Sequence, residues 1–180
     1  MHLGGGGTVF DNIALDDIIM AFFPCTMFQE NNALLFRGVA NQFQSVSDEY
    51  KLRYVHERHK TLHEMYERFT ELCMVAIARG LKLIIENPYT QPHYLTRYFP
   101  IEPALIDMDR TIRGDKFKKP TQYWFINCKL QNNFIFEPQE IIDTEIIERL
   151  TGGNRQARRS EITPEYARRF IREFVIAQNL

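Results

Sequence analysis

A thiol and a carboxylate at the ends of two apolar runs are the residues best placed to do chemistry in this chain. The run from Asp17 to Phe23 is followed by Pro24 and Cys25, and the run from Leu81 to Ile85 is followed by Glu86, Asn87 and Pro88. A thiolate is the strongest uncharged-substrate nucleophile among the side chains, and a nearby carboxyl can move a proton or read an N–H donor. The pair suits nucleophilic attack assisted by an acid. For that, the two residues must share a crevice. In open α/β sheets ligands bind outside the carboxyl ends of parallel strands, so two consecutive parallel strands ending in Cys25 and Glu86 would bring them together.

The elements needed for this arrangement are legible. Residues 16–23 form a short continuous apolar run, as expected of a strand covered on both faces. Residues 25–46 are mixed and rich in Asn and Gln, which reads as a loop with at most a short helical turn. Ser47, Asp48 and Glu49 supply an N-cap and an acidic first turn, and apolar residues recur at Leu52, Val55, Leu62, Met65, Tyr66, Phe69, Leu72 and Val75 until Gly80 stops the helix. Such a helix is about 50 Å long if unbroken and overhangs the sheet, with Thr61 the place where a kink or break would fall. The second strand covers 81–86. A proline-interrupted aromatic segment with a short helix at 92–98 follows, then strands at 104–108 and 122–128. Their polar connection is too short for a helical crossover, so these two strands are expected to pair antiparallel. A weak strand at 134–136, a short amphipathic helix before Leu150, a turn at 151–154 and a final helix opened by Thr163 and Pro164 complete the pattern.

Composition bounds the rest. The chain has 180 residues, 44% of them hydrophobic and 13% aromatic, enough for one domain with a substantial core. Residues 1–15 read as a flexible leader and 16–180 as a single domain. The formal net charge is -1, so any contact with a polyanion must come from a local patch. No run is long and apolar enough for a membrane span, and the N-terminus lacks the features of a signal peptide, so a cytoplasmic location is expected. Three widely spaced cysteines argue against a disulfide framework or a structural zinc site. Cys73 and Cys128 sit in apolar patterns and read as structural, and Trp124 as core. His56, His59 and His63 share one side of the long helix, but ligands at that spacing on a straight helix converge poorly on one ion. They read as a solvated face, and no metal is expected. Arg155, Arg158, Arg159, Arg168, Arg169 and Arg172 form a local basic cluster. It is either a phosphate-binding edge or a surface salt-bridged to Glu161, Glu165 and Glu173.

The order of Phe23-Pro24-Cys25-Thr26, Glu86-Asn87-Pro88, the hairpin with Lys119-Pro120-Thr121 and Trp124, and Ile162-Thr163-Pro164 before the last helix resembles the second half of a DNA cytosine-5 methyltransferase. The similarity is to the divergent forms of phages and mobile elements and covers roughly residues 16–176. It implies a Rossmann-like methyltransferase α/β sheet, mainly parallel with an antiparallel hairpin and lacking the first strands. It implies Cys25 as the nucleophile on cytosine carbon 6 and Glu86 as the acid at ring nitrogen 3. Pro24, Thr26, Asn87, Pro88, Arg110, Arg113 and Thr121 would bind the substrate, and Arg155, Arg158, Arg159 and Arg168 the DNA backbone. The target base must be flipped out of the duplex. The implied cofactor is S-adenosylmethionine. The family's Gly-rich turn after a first strand and acidic residue after a second are not found, so the cofactor is expected to be completed by a partner chain, a dimer or a missing half. An open sheet edge points the same way, to a homodimer or partner covering it. Asn87-Pro88-Tyr89 is also similar to the Asn-Pro-Pro-Tyr of amino-directed DNA methyltransferases. The rival expectation is a non-catalytic nucleic-acid or protein-binding module on the same scaffold.

Overall fold

The computed structural model describes residues 12–29, 32–139, 142–145, 158 and 160–177. Four strands form one open mixed sheet: β1 (Ile18–Phe22), β2 (Lys82–Pro88), β3 (Leu105–Asp107) and β4 (Thr121–Ile126), in the order β1-β2-β4-β3. β1 and β2 are parallel, with Ile18 opposite Lys82 and Phe22 opposite Glu86. β4 runs antiparallel to both β2 and β3. The antiparallel pairing of the last two strands agrees with the sequence. The sheet is nevertheless less parallel than expected, because β4 inserts between β2 and β3 instead of extending the edge.

Helices cover both faces. α1 (Asn32–Phe36) and α2 (Asp48–Arg79) precede β2, α3 (Tyr94–Tyr98) follows it, and α4 (Pro164–Phe170) continues as one π-helical segment through Ile171–Val175. Side chains alternate along the strands. Leu83 and Ile85 of β2 join Trp124 and Ile126 of β4 against Leu62, Phe69, Cys73 and Ala76 of α2. Ile84 and Tyr123 face Tyr166, Phe170 and Phe174 on the opposite side. Burial on both faces explains the uninterrupted apolar text of β2.

Helix α2 begins and ends where its caps require. Ser47 accepts from the Tyr50 N–H, and Gly80 takes a left-handed conformation (φ 67°) whose N–H closes on Ala76 and Ile77. The helix runs unbroken past Thr61, whose hydroxyl donates to the Glu57 carbonyl at 3.0 Å without interrupting the ladder. His56, His59 and His63 are exposed, with His59 against the Phe36 ring at 4.7 Å. Residues 134–136 are not a strand. The chain just before it lies along the end of α4, with the Gln131 and Asn133 N–H groups donating to the Phe174 and Glu173 carbonyls at 2.9 Å, and Phe134 and Phe136 are exposed. Of the helix expected before Leu150, residues 142–145 are described and are not helical; the remainder, like 1–11, lies outside the described residues. Among the described residues nothing pairs with the outer edge of β1, where Ile18 and Phe22 are 39% and 58% exposed. No described helix is long and apolar enough to cross a membrane.

Candidate active-site cleft

Parallel pairing puts Phe22 opposite Glu86, so the segment leaving β1 and the end of β2 open into the same space. Phe23, Pro24, Cys25, Thr26, Glu86, Pro88, Lys119, Ser160 and Ile162 are among the residues lining this cleft of about 580 Å³. The strand periodicity settles which way Glu86 faces: it continues the Ile84 side of β2, toward α4.

Cys25 sits on a tight turn. The Phe28 N–H donates to the Cys25 carbonyl at 2.9 Å, and Phe28, fully buried against Phe69 and Tyr94, pins the turn to the core. The Phe28 carbonyl in turn accepts from the Tyr94 N–H at 2.8 Å. The half-buried thiol accepts one side-chain hydrogen bond, from the Gln29 amide at 3.0 Å. The other two cysteines are placed for packing. Burial pushes the Cys73 thiol up to about 11, and it also raises that of Cys128, whose sulfur lies 3.8 Å from the Leu83 carbonyl.

Glu86 is 6% exposed, and its Oε1 has no hydrogen-bond partner. Two cations stand near that oxygen: Lys119 Nζ at 3.7 Å and Arg110 Nη1 at 3.9 Å. Lys119 is held there by the start of β4, where the Thr121 hydroxyl donates to its carbonyl at 2.8 Å and the Tyr89 N–H donates to Pro120 at 2.9 Å. Arg110 is completely buried, paired with Asp115 and centred 4.4 Å above the Tyr166 ring. Burial opposes its charge, but the fields of Tyr123, Asp115, Tyr166 and Glu86 outweigh it and hold its pKa above the ordinary value. A short 3-10 turn delivers it: Asp109 caps the Thr111 N–H at 3.1 Å, and Gly114 closes the turn at φ 84°.

Several expected site residues turn out to act behind the cleft. Asn87 faces away from Glu86, and its amide donates to the Phe23 carbonyl at 2.9 Å, so it ties the end of β2 to the segment that carries Cys25. The Pro88 carbonyl accepts from Gln122 at 2.8 Å, and Thr121 is buried. Arg110 cannot reach a bound phosphate from its buried position; it backs Glu86. Arg113 is committed to Asp107 at 3.1 Å and Glu173 at 2.8 Å. Asp107 also accepts from Tyr166 at 3.0 Å, and Tyr166 meets the Tyr123 hydroxyl at 2.7 Å. Pro24, Thr26 and Pro88 line the cleft itself.

The basic edge is largely self-neutralised. Arg168 pairs with Glu165 and Glu137, both at 2.8 Å, Arg172 with Glu137 at 2.6 Å, and Arg169 with Glu165 at 2.6 Å. The two arginines bonded to Glu137 lower its pKa. Arg158 pairs with Glu145, while Arg155 and Arg159 lie outside the described residues. Gln29 and Lys119 are the functional candidates the sequence left without roles. For Gln29 the available signal was its i+4 spacing from Cys25.

Beside the cleft, Met20, Phe22, Tyr123, Ile162 and Tyr166 help line an apolar slot of about 40 Å³. Among its described lining residues the only polar side-chain groups are the two tyrosine hydroxyls, already bonded to each other, so this slot alone does not fit the amino-acid and ribose parts of S-adenosylmethionine. Among the described residues there is also no group of three His, Cys, Asp or Glu side chains arranged to hold a metal ion. Comparison of the chain with protein-family models, with curated proteins and with solved structures gives no match.

Proposed function

We propose that the chain is the nucleophile-bearing part of a DNA cytosine-5 methyltransferase, with Cys25 as nucleophile and Glu86 as the group that reads and protonates the base. The observation that carries this reading is Glu86, which lines the same cleft as the Cys25 turn and whose buried Oε1 makes no hydrogen bond. A buried carboxylate without hydrogen bonds is costly unless a ligand donor completes it. The exocyclic amine of cytosine is such a donor, and ring nitrogen 3 beside it accepts from the carboxyl in its protonated form.

In this mechanism the Cys25 thiolate adds to carbon 6, forming the S–C bond. The electron pair of the 5,6 double bond moves through the ring toward nitrogen 3, where a proton from the Glu86 carboxyl is accepted. Carbon 5 is left enamine-like and nucleophilic. Arg110 and Lys119 supply positive charge beside the position where ring charge develops, in a partly water-excluded site where it counts most. The methyl donor expected for the family is S-adenosylmethionine, held with groups from a partner or second copy of the chain, for which the edge of β1, unpaired among the described residues, is the proposed contact. The neutralised state of Arg168 and Arg172 favours this enzymatic reading over a module that binds nucleic acid through its basic edge.

The test is covalent capture of DNA carrying 5-azacytosine, whose ring accepts thiolate addition and takes up the proton at position 5. Wild-type chain should give an adduct stable on a denaturing gel, with and without added S-adenosylmethionine. Cys25→Ser should abolish it and Glu86→Ala should slow it by roughly 100-fold, as for loss of a general acid. Equal capture by wild type and Cys25→Ser would overturn the proposal.

A further inference from the structure

We infer that Gln29 is the built-in donor that supports the Cys25 thiolate before any substrate is bound, an assignment that rests on the reading of Cys25 as nucleophile. The Gln29 amide Nε2 lies 3.0 Å from Cys25 Sγ, four residues along a turn fixed at both ends by backbone bonds of Phe28. An N–H aimed at the sulfur stabilises the anion more than the neutral thiol, because a hydrogen bond to a charged acceptor is the stronger one. The second observation pointing to a ligand here is Glu86, a residue of the same cleft, nine-tenths buried, whose Oε1 has two cations near it but no hydrogen bond. The charged groups that line the cleft are Glu86 and Lys119, of opposite sign and 3.7 Å apart, so neither presents an uncompensated field to the sulfur. On the other side of the turn, Arg58 of α2 reaches Met27 at 3.6 Å. Among the described residues, Gln29 is therefore the one whose side chain bonds the sulfur.

The geometry also explains why the donor is an amide. A lysine at this place would bring a full charge against the sulfur, whereas an amide supports the anion and remains neutral when the sulfur is bonded to carbon. After addition to the base the sulfur is a poor acceptor, so the Gln29 amide is released from it.

The experiment is alkylation of the 180-residue chain by iodoacetamide, with no DNA or methyl donor present, read at the Cys25 peptide by mass spectrometry across a pH series. Gln29→Met, close in volume and without a donor, should slow labelling near neutral pH by about three- to ten-fold, the size of one hydrogen bond to a charged group. The deficit should shrink as the pH is raised and the thiol ionises unaided. Gln29→Glu, which places a carboxylate against the sulfur, should slow it further, and Gln29→Ala should behave like Gln29→Met. Far-UV circular dichroism matching wild type shows that each variant has folded. An unchanged pH profile in folded Gln29→Met, or faster labelling, would overturn the inference. Because the readout needs no DNA, failure of 5-azacytosine capture with the labelling difference intact would refute the methyltransferase reading and leave Gln29 as the thiolate donor.

Discussion

Replacing His93 by leucine should remove an acid sensitivity built into the core beneath the Cys25 turn. His93 is 1% exposed, lies 6.0 Å from the Phe28 ring, and has no hydrogen-bond partner at either ring nitrogen. Burial pushes its imidazole down to about 4 from an ordinary value of 6.5. The unfolded chain therefore takes up a proton that the folded chain refuses. Stability from the neutral imidazole is complete above the unfolded value and is lost as the pH falls from 6.5 through about 4. With these two values, linkage gives a loss of about 2 kcal/mol between about pH 7 and about pH 5, and about 3 kcal/mol by about pH 4. His93 makes no side-chain cap bond to α3, so leucine takes no hydrogen bond from the helix, and every other titrating group is common to both proteins. Urea denaturation of wild type and His93→Leu over this pH range is the assay. The wild-type free energy should fall by about 2 kcal/mol more than that of the variant on going to about pH 5. Parallel curves for the two proteins would refute the placement of a neutral, unpartnered imidazole in the core.

The charges around Glu86 yield further expectations. Arg110→Met leaves Asp115 and Glu86 buried without their guanidinium and removes the cation over Tyr166. It should cost about 3–5 kcal/mol in urea denaturation, the usual penalty for orphaning a buried ion pair; a loss under about 1 kcal/mol would show that the pair is not formed. Lys119→Met removes a partly exposed cation and should change stability by less than about 1 kcal/mol. The same substitution should slow 5-azacytosine capture by about tenfold, and an unaltered capture rate would remove Lys119 from the chemistry.

The parts of the fold that were legible are those governed by local pattern. Ser47 and Gly80 bound α2, the apolar run of β2 announces a strand buried on both faces, and Thr163 with Pro164 opens α4. The insertion of β4 between β2 and β3 was not legible, because the choice of neighbour is made by contacts such as Ile84 with Phe125 that are remote in sequence. Residues 134–136 carry strand-like text, yet their neighbours bond to the carbonyls of Phe174 and Glu173. In the site, Cys25 and Glu86 stood out because each breaks the end of an apolar run. Arg110 did not, because an arginine in a polar connection reads as solvent-facing until Asp115, Glu86 and Tyr166 are seen to enclose it. Arg168 was a candidate for the DNA backbone for the same reason, since Glu137, 31 residues away, supplies much of its compensation. Gln29 was hidden in an Asn- and Gln-rich loop where nothing in composition separates one amide from another.

The central claim is that Cys25 is the atom that bonds to the base, and peptide mapping of the chain after reaction with 5-azacytosine DNA tests it most directly. All three cysteines should be left in place, since Cys73 and Cys128 are internal controls with buried or half-buried thiols. The account predicts a nucleotide adduct on the Cys25 peptide alone, lost in Cys25→Ser. An adduct on Cys128 or Cys73, or no adduct under conditions where DNA is bound, would contradict it.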